Sequence, residues 1–386
     1  MSYNQPILTR YLYNRDEVVH SLVICLLNKS SFKEALFWSS ELYYSGYEGV
    51  LWTCLWKIFY DFFALRNPTF ERKIARLHKK WLKYPIPEHI PEPIIATVNL
   101  LYHCSTSTYK VFCLRIMNAP LPHTIYRGRL PIWLKKLNLT KKERYIIRAI
   151  EGKNITNISY YLSLMEHDIP RCYQIVRLWF ENKTKQSLKE ISLDDIPYGN
   201  KKHIIYALIC YLMMETPEEI ASIRKIALVR VLEQESIDFF KETNISVLPV
   251  WKTLAKRRLY AIRDCIGIFP SARKDHTDDT LGWKEILWYH WEYYARKCPL
   301  WKERFDKYNV CFNDKTKKPE FPNDDLLEEF YEKYGLEPDE QSRECQEKSL
   351  CKLPIRTLGM WINAIFPSFR SKRFSKQQLV YFAFTE

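Results

Sequence analysis

The stretch Ser31 to Pro68, SFKEALFWSSELYYSGYEGVLWTCLWKIFYDFFALRNP, decides the fold. Ser31 and Glu34 have the S-x-x-E spacing of a capping box, in which a hydroxyl accepts from an orphan backbone N–H and the glutamate reaches back. The spacing predicts a helix starting at Phe32. Ala35, Trp38 and Leu42 recur at i, i+3 and i+7, with Leu36 and Tyr43 beside them, and Gly46 offers the left-handed stop that helix ends favour. A second helix carries Leu51, Leu55, Ile58, Phe59 and Phe62 inward. Trp52, Trp56 and Phe63 widen its apolar face nearly all round, until Asn67-Pro68 ends it. A helix apolar on every side has to be buried. The stretch therefore reads as an aromatic helical hairpin inside a core, not as an aromatic ligand box.

Working outward, Asn14 and Glu17 bracket another capping signature ahead of Val18, Leu22 and Leu26, a first amphipathic helix. Beyond Pro68, Phe70, Ile74, Leu77 and Trp81 define an inner stripe, with Arg72, Lys73, Arg76, Lys79, Lys80 and Lys83 on the outer side. Four prolines from Pro85 to Pro93 rule out a continuous helix and read as a stiff connector. Further helices are predicted over Ile94–Tyr102, Thr106–Met117, a segment capped by Thr140 and Glu143, Cys172–Phe180, His203–Met214, a segment opening at Thr216-Pro217, Trp283–Ala295 and Asp325–Tyr334. The fold class is mainly α with little or no β: an irregular, α-solenoid-like array of helix-turn-helix pairs without a fixed sequence period. The expected domains are a helical unit at 1–84, the connector at 85–93, a helical array at 94–310, an acidic segment at 311–354 and a basic tail at 355–386.

Composition agrees with that class. Nine glycines in 386 residues are too few for the tight turns of an all-β chain, and 47% hydrophobic residues supply a sizeable core. The longest apolar runs, near Leu22–Leu27 and Ile204–Met214, fall short of the roughly 20 residues that span a bilayer, so no membrane partner is expected. The first residues lack a basic stretch followed by an apolar one, which points to an intracellular site. Eleven cysteines, none in a C-x-x-C pair, read as reduced thiols, and no second close ligand pair completes a zinc site. No metal or cofactor is expected.

The net charge of +14 is segregated. Residues 101–160 hold eleven Lys and Arg against two acids, and Arg127, Arg129, Lys135, Lys136, Lys141, Lys142, Arg144 and Arg148 form the candidate nucleic-acid face. Together with the basic runs Arg72–Lys83 and Lys252–Arg263, such a face would neutralise phosphates of DNA or RNA and supply affinity without base specificity. Within it, LTKKERYIIRAIEGKNITNISYYL has the look of the first two helices of a helix-turn-helix, although the following Ile169–Phe180 offers only Arg171, Gln174 and Arg177 as polar readers. Residues 311–350 reverse the sign, with twelve acids against six bases; Asp324, Asp325, Glu328 and Glu329 form a candidate acidic surface for a protein partner. Asp275, His276, Asp278 and Asp279 are a compact His/carboxylate group that reads as a solvated loop. The phosphate-cradling, nucleophile-elbow and H-E-x-x-H motifs are missing, which excludes the common motif enzymes and leaves no catalytic residue to name.

EALFWSSELYYSG at 34–46, LWKIFYDFFALRNP at 55–68, WEYYARKCPLWKERF at 291–305 and FPNDDLLEEFYEKYGLEPDEQSRECQEKSL at 321–350 resemble an uncharacterised family encoded by nucleocytoplasmic large DNA viruses. The resemblance implies a site in the host cytoplasm or viral factory, or in the virion, and transfers no catalytic residue. The resulting expectation is a non-catalytic helical scaffold with an unknown protein partner. The alternatives are a nucleic-acid-binding accessory factor of viral replication or transcription, and a virion structural protein.

Overall fold

The computed structural model describes residues 7–64, 67, 70–83, 92–104, 111–112, 130, 132–152, 155–165, 168–185, 260, 262 and 289–334. These are mostly helical. The opening segment closes on itself through a Leu8–Asn14 bridge, and the Asn14 side chain accepts from the Asp16 N–H to start α1, Arg15–Asn28. Ser31 caps α2, Phe32–Tyr44, by accepting from the Glu34 N–H at 3.4 Å, while the Glu34 carboxylate accepts from the Trp38 indole at 3.2 Å. α3, Glu48–Ile58, then widens into a π-helical turn over Phe59–Phe63 rather than continuing as regular helix to Asn67. Phe59, Tyr60, Asp61, Phe62 and Phe63 are all in the interior, so this turn is enclosed on every side, as the all-round apolar face required. α4, Phe70–Leu82, and α5, Glu92–His103, complete this part, and α5 packs against α4 and α2.

Gly46 carries the chain between α2 and α3 at φ +82°, as its position in the hairpin requires. A Cβ there would also stand 2.5 Å from the Pro299 Cβ, so glycine is demanded twice, by backbone and by neighbour.

A 3₁₀ turn at Ile132–Lys136 leads to α6, Lys141–Glu151, α7, Ile155–Ser163, and α8, Ile169–Thr184. Of the predicted helix Trp283–Ala295, residues 283–288 lie outside the described residues and the described part breaks at His290. His290 stands as the N-cap of a short α9, Trp291–Ala295, and Pro299 opens α10, Pro299–Lys307, at a position where its missing N–H costs nothing. A two-stranded antiparallel hairpin follows, β1 Cys311–Asn313 against β2 Lys318–Glu320, with Phe312 opposite Pro319. The described part is thus mainly α with a small β hairpin inside the acidic segment. α11, Asp324–Tyr334, ends the described part.

One continuous hydrophobic core runs from Leu8 to Phe330. Trp38 and Trp52 of the aromatic hairpin are fully buried in it and Trp56 nearly so, as the sequence predicts; Trp179, Trp291 and Trp301 join them. The first half of the acidic segment is mostly exposed but is pinned to this core through Phe330. Phe330 is 0% exposed and meets Phe305, Tyr308 and Phe321 at ring distances of 5.3–5.5 Å, of which Phe305 is stacked at 5.3 Å.

Candidate functional site

The basic face is built on α6. Thr140 and Glu143 form the complete capping box: the Thr140 hydroxyl accepts from the Glu143 N–H at 3.3 Å, and the Glu143 carboxylate accepts from the Thr140 N–H at 2.6 Å. Burial pushes the Glu143 carboxyl up, but the Thr140 N–H and the Arg171 guanidinium outweigh it and hold the group below the usual carboxylate range. Tyr145, stacked on Tyr161 at 5.2 Å, joins the start of α6 to the end of α7, so the two helices run antiparallel. The Arg171 Nε donates to Glu143 at 2.9 Å, and the Trp179 Nε1 donates to Glu151 at 2.6 Å. Both pairs join residues 28 positions apart, so α8 returns alongside α6 in the same direction.

That layering bears on the helix-turn-helix expectation. A reading helix crosses its predecessors at a large angle and presents polar side chains outward. Here α8 lies along α6, with Arg171 engaged by Glu143 and Arg177 by Glu181 at 3.0 Å; Gln174 is the exposed polar residue of the three.

Of the eight basic residues read from the sequence, Lys141, Lys142 and Arg144 are exposed on the first turn of α6. Lys141, Arg144 and Arg148 share one stripe at i, i+3 and i+7, with Arg148 half-buried, and the Arg144 Nε donates to the Leu139 carbonyl at 3.1 Å. Lys135 and Lys136 sit on the 3₁₀ turn just upstream, and Arg127 and Arg129 lie outside the described residues. The acidic candidates Asp324, Asp325, Glu328 and Glu329 are all exposed on α11, and Glu329 accepts from the hydroxyl of buried Tyr308 at 2.8 Å. Asp275, His276, Asp278 and Asp279 lie outside the described residues.

The sequence reading missed a densely bonded buried polar network among the described residues. Arg10 donates through Nε to Glu41 at 2.8 Å, with both side chains fully buried. The same carboxylate accepts from the Thr9 hydroxyl at 2.6 Å and from the Tyr11 N–H at 3.0 Å. One turn on, Ser45 accepts from the Arg10 N–H at 2.9 Å, and its carbonyl accepts from Cys298 and from the Leu300 N–H. Trp301 closes the circuit by donating its Nε1–H to the Thr9 carbonyl at 3.3 Å. The network locks the opening loop, the end of α2 and the start of α10 together. The available signal was a charged residue, Arg10, set in the run Ile7 to Tyr13.

The remaining buried ionisable groups also serve packing. Lys29 caps α1 in the left-handed conformation, donates to the Leu101 carbonyl at 2.7 Å and has its pKa lowered by burial to about 8. His78 is lowered by burial to about 4 and accepts at Nδ1 from the Trp56 indole at 3.2 Å. Burial pushes the thiols of Cys54, Cys104 and Cys172 up to about 12 and that of Cys298 to about 11, which removes their nucleophilic thiolate at neutral pH. Among the described residues, no group of three or more His, Cys, Asp or Glu side chains is placed to hold a metal ion, and no helix is long and apolar enough to cross a membrane. No protein-family model matches the chain, and no curated protein or solved structure matches it either.

Proposed function

We propose that this chain is a non-catalytic helical interaction protein, a scaffold built as an irregular array of helix pairs, acting for a large DNA virus in the host cytoplasm or viral factory. The observation that carries the reading is where the polar chemistry goes. The buried Glu41 is engaged in fastening the opening loop to α2, and the buried thiols described above are held protonated. The uncommitted charge is carried outside, on α6 and α11. The up-down-up layering of α6, α7 and α8 supports the array, and the motif resemblance supports the viral setting. A stoichiometric protein partner should co-purify from infected cells and be lost when Asp324, Asp325, Glu328 and Glu329 are reversed to Lys. Turnover of nucleotide or nucleic acid by the purified chain, abolished by a single substitution, would overturn the reading.

A second reading, a nucleic-acid-binding accessory factor, is favoured by the exposed cluster Lys141, Lys142 and Arg144. It requires binding that weakens steeply with salt and is removed by reversing Lys135, Lys136, Lys141 and Lys142.

A further inference from the structure

α4 is anchored on one side and charged on the other. Phe70, Ile74 and His78 face the core, and the His78 ring stacks on Trp52 at 4.3 Å and on Trp81 at 5.8 Å. With the Trp56 indole donating to His78, the helix cannot roll about its own axis without breaking an aromatic stack and a hydrogen bond. That fixes which side chains face outward. Arg72, Arg76 and Lys79 are exposed at i, i+4 and i+7, and exposed Lys83 continues the line just past the last turn.

The ridge is of one sign. Lys80 is engaged by Glu92 at 2.6 Å beside it, and the acid within the helix, Glu71, is turned inward to the Tyr60 hydroxyl, with burial raising its pKa. At about 1.5 Å of rise per residue, the four cations fall about one per turn over roughly 16 Å. A nucleic-acid strand presents a phosphate about every 3.4 Å along the axis of a duplex, so a ridge of this length lies beside about five of them. Two of the four are arginines, whose planar fork suits phosphate oxygens. The helix sequence FERKIARLHKKWL holds no Asn or Gln for reading adenine edges.

We propose that the Arg72–Arg76–Lys79–Lys83 ridge binds the phosphate backbone of nucleic acid without reading its sequence. This site is separate from the α6 cluster and stands or falls apart from it, and apart from the scaffold reading. The chain's net charge of +14 favours a polyanion over a second copy of the chain, although the acidic α11 of such a copy is the competing occupant.

The test is binding of the full-length chain to fluorescent single- and double-stranded DNA and RNA of two unrelated sequences, with salt raised from about 50 to about 200 mM. The variant Arg76→Gln/Lys79→Gln should weaken binding to both sequences alike and flatten the plot of log K against log salt by about 1.8, the loss of two phosphate contacts. Arg72→Gln/Lys83→Gln, from the same ridge, should do the same, and both variants should keep the wild-type unfolding midpoint. Lys141→Gln/Lys142→Gln should leave the contribution of the ridge in place. The proposal is overturned if the wild type does not bind, if both ridge variants keep its affinity and salt slope, or if binding depends on sequence. It is also overturned if the ridge variants instead abolish a salt-sensitive self-association, which would make a second copy the partner.

Discussion

The N-terminal core and the α6–α8 layer both fasten helices through glutamates, but they set the charge at opposite depths. Glu41 and Arg10 are each 0% exposed at the side chain, whereas Glu143 meets an Arg171 that is 37% exposed and Glu151 meets a Lys183 that is 45% exposed. A pair taken wholly out of water returns little net stability, yet losing one member strands the other in a medium that cannot solvate it. A pair at the rim gains little and loses little. The deep pair therefore specifies a single way of docking the opening loop on α2 and α10, and the rim pairs adjust the stability of a packing that apolar residues already define.

The largest effect should come from breaking the deep pair. Glu41→Gln is expected to cost about 3–5 kcal/mol in urea unfolding, because Arg10 stays buried with its countercharge gone. The double replacement Arg10→Met/Glu41→Leu should recover only part of that loss, since it removes both charges but leaves the buried Thr9 hydroxyl and Tyr11 N–H without their acceptor. A cost for Glu41→Gln below about 1 kcal/mol, the rim value, would erase the contrast.

Glu292 on α9 sharpens the comparison from the other direction. It is buried like Glu41, but the partner it accepts from is a neutral hydroxyl, Tyr331 on α11, at 2.7 Å. Burial raises its pKa to about 7, against the pull of Tyr331 and of Lys318. Because the folded state holds this proton more tightly than the unfolded one, stability should fall as pH rises from about 4.5 to about 7 and then level off, by about 3 kcal/mol in all. Glu292→Gln keeps the acceptor for Tyr331 and should abolish the drift, leaving the variant more stable than wild type at pH 8. Urea midpoints measured across that interval decide it, and equal pH profiles for variant and wild type would refute the assignment.

How much of this could be read from the sequence follows the range of the interactions. The Thr140–Glu143 box, the Gly46 reversal and the stripe through Ala35, Trp38 and Leu42 are set by neighbours within two turns, so spacing alone reveals them. Arg10 and Glu41 are 31 residues apart, and Ser45 meets Cys298 across 253. No local pattern encodes such pairs; they exist only once the helices are stacked. The π-helical turn and the break at His290 are likewise decisions of packing, where apolar runs that look continuous have to deliver large rings to particular depths. For the candidate faces, residue type located the charge on α6 and α11. Only the structure separates exposed Lys141, Lys142 and Arg144 from half-buried Arg148 and, on the basic outer side of α4 that spacing already locates, exposed Arg72, Arg76, Lys79 and Lys83 from half-buried Lys73 and Lys80.

The smallest effect belongs to Glu143, where two roles meet in one side chain. Glu143→Gln keeps a group able to accept from the Thr140 N–H and loses only the charge opposite Arg171, so it should cost about 0.5–1 kcal/mol once solvent screening of the exposed arginine is allowed for. Glu143→Ala removes the returning half of the box as well and should cost about 1–2 kcal/mol, with faster hydrogen exchange at the amides of the first turn of α6. The pH response has the opposite sign to that of Glu292. The Glu143 pKa is lowered in the fold, so its contribution is present above the unfolded carboxylate range and is lost as pH falls through the folded value. Added salt should weaken the Arg171 component and leave the cap intact, since the cap is a short hydrogen bond and the arginine faces water. If Gln and Ala at 143 instead cost the same, the exposed pair would be carrying the whole of α6, and the rim of the molecule would have to be credited with the specificity assigned above to its depth.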